Sequence, residues 1–305
     1  MADVARIRQS FGEIIASDHR VGGQVSVEAA AAHFAGRALA LQQSGSASQA
    51  VRAALYATAA AFQSSAMWAA IDGQRYEAAE RYLRDAQAIA AMSGDQAIVF
   101  RIWSHAGAMY RHMGRPGEAD AANAVARRLG ITRDPMIASL GQARQGAILA
   151  AGGDVKQAAR TFDRARSTLA RARRDDDPGR PPWLLAFYDA AEIDSLECSA
   201  YSTARDWARA EAAGHRCLAR LRPSMQRSRA ITTARVARAQ LEQGEVDQAL
   251  VTVRRIPGEV VFGHPRIAGM TQAFGTRLRA LSSDRAHLDR WRGHLDTASP
   301  RESVR

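Results

Sequence analysis

Small residues recur along this chain in one fixed order, at intervals of about forty residues. Gly114 is followed by Ala119 and Ala126; Gly153 by Ala158, Phe162 and Ala165; Gly244 by Ala249 and Val253. A weaker copy runs through Arg205, Ala210 and Cys217. An earlier one has Gly73, Ala78, Tyr82 and Ala86, and a first one centres on Gly45 and Ala50. Such an order constrains the fold strongly. A glycine lets the backbone reverse, and an alanine keeps a helix thin where another helix must cross it. Upstream of the turns stand bulky residues such as Trp68, Trp103 and Tyr110, with Gly107 and Gly146 between them, as packing inside a pair of helices requires.

The order is that of the tetratricopeptide repeat (TPR), and the expected fold is all-α: a right-handed α-solenoid of TPR-like helical hairpins. The turns at Gly45, Gly73, Gly114, Gly153, Arg205 and Gly244 are separated by 28, 41, 39, 52 and 39 residues, against about 34 in a strict array. The widest gap contains Arg171–Pro182, which reads as a loop. The narrowest implies two helices fused across Gln63, Ser64 and Ser65. The predicted organisation is one array over residues 1–295, with a soft joint at 175–182 and a frayed tail at 296–305. It includes a helix over about Val4–Ala16 and two final helices over about Arg266–Leu281 and Asp284–Leu295.

Composition agrees. Hydrophobic residues make up 47% and aromatics 6%, with alanine dominant. Val, Ile and Thr form no alternating runs, so no stretch reads as a sheet strand. The chain carries a formal charge of +11 and a pI near 10.7. Its positive charge is nearly all arginine, with Lys156 the single lysine. The arginines are scattered and often stand beside Asp or Glu. That pattern favours a solvated surface over a nucleic-acid-binding stripe. The stretch from Ala53 to Ile71 carries no charge, but its Thr, Gln and Ser fit a buried helix better than a membrane span. The N-terminus has no signal-peptide core. A cytoplasmic protein is expected.

The chain resembles the TPR region of actinobacterial helix-turn-helix (XRE-type) transcriptional regulators. The resemblance is carried by Ala66–Leu83, by Arg227–Ile231 with Ala237–Leu241 and Gly244–Ala249, and by the Arg266–Leu281 helix. It implies a sensing or scaffolding role. The DNA-binding role does not carry over, because about 25 residues before the first array helix are too few for that domain.

First helices line the groove of such arrays. The expected lining residues are Gln63, Met67, Arg101, Ser104, His105, Arg111, His112, Arg144, Glu192, Ser195, Ser199, Arg235, Arg238 and Glu242. Their arginines suit carboxylates, a phosphate or an acidic peptide. His105 and His112 lie seven residues apart with no carboxylate between, which argues against a metal. Cys198 and Cys217 fall at small-residue positions and read as core. Asp175–Asp177 lacks calcium-loop spacing. No nucleophile elbow, phosphate loop or zinc motif is present. The expectation is a non-enzymatic module without a cofactor. It binds a protein or peptide, with no membrane and no direct nucleic-acid contact, and its oligomeric state is open to a homodimer. The competing readings are a small-ligand-sensing regulator and an arginine-mediated nucleic-acid binder.

Overall fold

The computed structural model describes residues 2–43, 47–172 and 180–298, and among these residues the chain is helical with no strand. The helices are α1 (Ala2–Arg20), α2 (Val25–Gln43), α3 (Gln49–Asp72), α4 (Tyr76–Ser93), α5 (Gln96–His112), α6 (Pro116–Arg128), α7 (Pro135–Ala151), α8 (Val155–Ala172) and α9 (Pro182–Phe187). They continue with α10 (Ala190–Thr203), α11 (Trp207–Arg220), α12 (Gln226–Glu242), α13 (Val246–Val253), α14 (Gly258–Gly263), α15 (Pro265–Leu281) and α16 (Arg285–Ala298). Two compact units divide the chain. The first holds α1 through Asp18 and α2–α9. The second holds α10–α16 with the short stretch His19–Val21. No helix is long and apolar enough to cross a membrane.

Five turns share one backbone geometry. Each places a residue in the left-handed region: Gln74 (φ 60°), Gly114 (φ 73°), Gly153 (φ 93°), Arg205 (φ 58°) and Gly244 (φ 84°). In each, that residue's N–H donates to the carbonyl three residues back, and the next N–H donates five residues back. The second bonds run from Arg75 to Ala70, Arg115 to Tyr110, Asp154 to Leu149, Asp206 to Tyr201 and Glu245 to Gln240. This Schellman arrangement satisfies helix-end carbonyls and reverses the chain into the next helix. The resulting pairs are α3–α4, α5–α6, α7–α8, α10–α11 and α12–α13.

Packing repeats with the turns. Five residues beyond each left-handed position stands an alanine: Ala79, Ala119, Ala158, Ala210 and Ala249, all fully buried. Seven residues before it stand Met67, Gly107, Gly146, Cys198 and Ala237. These sit where the paired helices cross. A Cβ on Gly146 would come 3.0 Å from the Phe162 ring, and one on Gly107 would come 3.2 Å from the Ala119 carbonyl oxygen. A large side chain on one helix therefore faces a small one on its partner. Cys198 and Cys217 are both buried free thiols at such positions.

The first hairpin corrects the sequence register. Gly73 has φ −81° and is not left-handed; Gln74 is. The buried alanine is thus Ala79, the larger core residue is Leu83 instead of Tyr82, and Ala86 falls into phase with Ala126 and Ala165. The fused segment is one helix of 24 residues, with Ser64 and Ser65 buried inside it. Helix α1 is longer than expected, and α15 and α16 match the two final helices. Gly45, Asp175–Asp177, most of the 175–182 joint and the end of the 296–305 tail lie outside the described residues. Contacts divide the chain at Asp189 and Ala190, beyond that joint.

Candidate functional site

Helices α3, α5 and α7 are the first members of successive hairpins and lie side by side, α3 against α5 and α5 against α7. Counted from the left-handed residues, Ser65, His105 and Arg144 hold one position, nine residues before each turn, and Ser64 and Ser104 hold the position before it. One face of three helices therefore presents Ser64, Ser65, Trp68, Arg101, Ser104, His105 and Arg144.

Arg101 is the centre of this face. Its Nη1 donates to the Ala61 carbonyl at 3.0 Å and its Nη2 to Ser65 Oγ at 3.0 Å, both on α3. Two aromatic rings hold the guanidinium, Phe11 of α1 at 5.2 Å and Trp183 of α9 at 5.6 Å from ring centre to Cζ. Burial lowers its pKa to about 9, opposed only in part by the charge of Asp18 on α1. Among the described residues, no carboxylate forms an ion pair with it. Removing a cation from water without a close counter-charge is costly.

His105 lies beside it. Its Nδ1 is 3.0 Å from Ser64 Oγ and 3.3 Å from the Ser64 carbonyl oxygen. Its ring is tilted against Trp68 at 4.9 Å, and the Arg144 guanidinium lies over that same indole at 5.4 Å. Burial, then the charges of Arg101 and Arg144, push the imidazole well below its ordinary pKa. It is neutral at pH 7.

The second unit also holds an arginine whose pKa burial lowers. Arg235 of α12 holds the position of His105 and Arg144 in its own hairpin. Burial lowers it to about 10, helped by Arg266 and opposed by Glu192. Its Nη1 reaches the Ser195 carbonyl at 3.5 Å. Glu242 is bound by Arg238 at 2.7 Å and twice by Arg277, at 2.9 and 2.8 Å. Burial acts to raise this carboxyl, but the two arginines hold it below the usual range. On α10, Asp194 is fully buried and meets Arg216 and Arg220 of α11, and Glu197 meets Arg216 at 2.6 Å.

The fourteen expected lining residues are therefore divided. In the first unit Arg101 and Ser104 are buried, so they line no open groove, while His105 and Arg144 meet the same Trp68 ring. Glu192, Ser195, Arg235, Arg238 and Glu242 lie in the second, with the buried Ser199. Arg111 and His112 bond each other at 3.1 Å. Two expectations are corrected. Met67 is fully buried at the helix-crossing position, and Gln63 turns to Asp85 of its own hairpin partner at 3.3 Å. Both follow from the turn standing at Gln74: a one-residue shift moves Ser64 and Trp68 onto the face instead. Phe11 and Trp183 could not be found by repeat register, because α1 and α9 lie outside the hairpins.

No protein-family model, no curated protein and no solved structure matches this chain.

Proposed function

We propose that this chain is a non-catalytic, TPR-like interaction module, a right-handed α-solenoid in which the first-helix face takes a peptide or protein segment with acidic character. A preformed face binds with little ordering cost, because stacked helices already hold its side chains in place. The observation that carries the reading is the buried, under-neutralised cation Arg101 among Ser65, Ser104, His105 and Arg144. A carboxylate arriving there would make charge-assisted bonds in a place shielded from water, where such bonds are strongest. A regulatory outcome is the extension that the likeness to sensor regions of transcriptional regulators supports, and a cytoplasmic setting belongs to that same proposal.

The test is a display screen of random peptides on the immobilised full-length chain, followed by calorimetric titration of the selected sequences. An acidic consensus is expected, with binding weakened by Arg144→Gln. Failure to select any sequence, or selection of basic sequences, would remove the proposal.

A further inference from the structure

We propose that the Arg101 cage is an oxyanion seat: a site for one carboxylate or phosphate group, received by the Arg101 guanidinium, the Ser104 hydroxyl and the Trp183 indole N–H. This deepens the peptide-binding reading and rests on it.

Three donors carry the argument. Arg101 is 4% exposed, Ser104 3% and Trp183 6%. The Ser104 hydroxyl and the Trp183 Nε1 are both buried without a hydrogen-bond partner. An indole N–H can only donate, so no rotation or tautomer can satisfy it. Arg101 spends two of its bonds on the Ala61 carbonyl and Ser65 Oγ, and a guanidinium has five N–H groups to give. Buried polar atoms without partners are uncommon in folded proteins. Two beside an arginine that lacks an ion pair share one remedy, an acceptor that carries negative charge.

Ser104 follows Arg101 by one turn of α5, and the Trp183 ring lies over the guanidinium at 5.6 Å. Asp18 of α1 acts on Arg101 through its charge but makes no ion pair with it. The Phe11 ring also lies against the guanidinium, at 5.2 Å. It meets Phe62 edge-on at 5.4 Å, and it is half-buried where the three donors are closed off. Phe11 is thus the cover through which an oxyanion reaches the seat.

The experiment titrates the full chain calorimetrically with sodium phosphate and with acetyl-Ala-Ala-Ala-Glu bearing a free carboxyl end. Binding of at least one probe by the wild type or by Phe11→Ala is expected, with Phe11→Ala the tighter. Ser104→Ala and Trp183→Phe should each weaken it by about tenfold to a hundredfold, the worth of one hydrogen bond to a charged group. Both should leave the melting temperature unchanged or raised, since each deletes an unsatisfied polar atom. Arg101→Met should abolish binding. Preference for phosphate identifies a free oxyanion as the ligand, and preference for the peptide identifies an acidic segment.

The seat is overturned if neither probe binds the wild type or Phe11→Ala, or if Ser104→Ala and Trp183→Phe bind as the wild type does. That pair decides even where Arg101→Met fails to fold. A display-selected peptide held equally by Arg101→Met and wild type would sink the seat and leave the interaction reading. Phosphate binding lost in Ser104→Ala, with no peptide selected, would do the reverse.

Discussion

Both units bury charge beneath their helical hairpins, but the Asp194 and Glu242 sites of the second neutralise it differently from the Arg101 site of the first. In the second unit each buried carboxylate has its arginines: Asp194 with Arg216 and Arg220, Glu242 with Arg238 and Arg277. The arginines are partly exposed and the acids are not, so desolvation falls on one partner only. The first unit has such a pair in Glu28 and Arg75, but at Arg101 the charge type is inverted. Arg101 is buried and its surroundings are two aromatic rings, a carbonyl and a hydroxyl. A closed ion pair supports its own fold, whereas a buried cation without a close counter-charge lowers stability. The hairpin geometry is the same at both sites, and the difference lies in which side chains stand behind it.

The largest expected effect tests that contrast directly. Asp194→Ala should destabilise the chain by about 3 kcal/mol in urea unfolding, because it removes a buried, charge-assisted bonding partner. Arg101→Met, a replacement of similar length without charge, should change stability by less than about 1 kcal/mol or raise it. Equal losses in the two variants would erase the distinction between the units.

A smaller effect concerns pH. The folded-state pKa of His105 is depressed, so the unfolded chain takes up the proton first. Its stabilising contribution is complete above the ordinary histidine value of about 6.5. It falls away as pH drops below that value toward the folded-state pKa, with a slope of at most about 1.4 kcal/mol per pH unit. His19, lowered to about 4 by burial and by Arg222 and Arg227, loses stability over the same direction of pH in the second unit. Urea midpoints of the wild type and His105→Asn between pH 7.5 and 5, a range of about one pKa unit either side of histidine, should therefore diverge. The variant should keep the shallower slope, with that of His19 remaining. Parallel curves would mean that His105 does not titrate in the unfolded chain alone.

The smallest effect lies at the turns. Gln74 in the first unit and Arg205 in the second hold left-handed backbone with full side chains, a conformation that costs such residues about 1 kcal/mol. Gln74→Gly and Arg205→Gly should each stabilise by about 0.5 kcal/mol once the added freedom of the unfolded chain is subtracted. Gly114→Ala should destabilise by about 1 kcal/mol at the equivalent position. Thermal melts read all three. A response at one turn and not the other would show that the five turns are not equivalent.

The repeat of turn and alanine was legible without coordinates because it depends on local chemistry. Only glycine adopts the left-handed turn freely, and only a thin residue fits where two helices cross, so Gly114, Gly153, Gly244 and the alanines after them announce themselves. The same logic put Arg101, Ser104, His105 and Arg144 on first helices of hairpins. It failed at the first hairpin. There Gln74 takes the left-handed position with Gly73 beside it, and a side chain gives no hint that the backbone holds it in such a conformation.

Sequence alone thus determined the all-helical class and the phase of four of the five hairpins, since each hairpin is written within about forty neighbouring residues. What only the tertiary structure decided is the environment of Arg101. Phe11 and Trp183 come from α1 and α9, outside any repeat, and no local spacing specifies that their rings close over one guanidinium. A pKa near 9 for that arginine follows from burial, which is a property of the packed chain and of no segment within it.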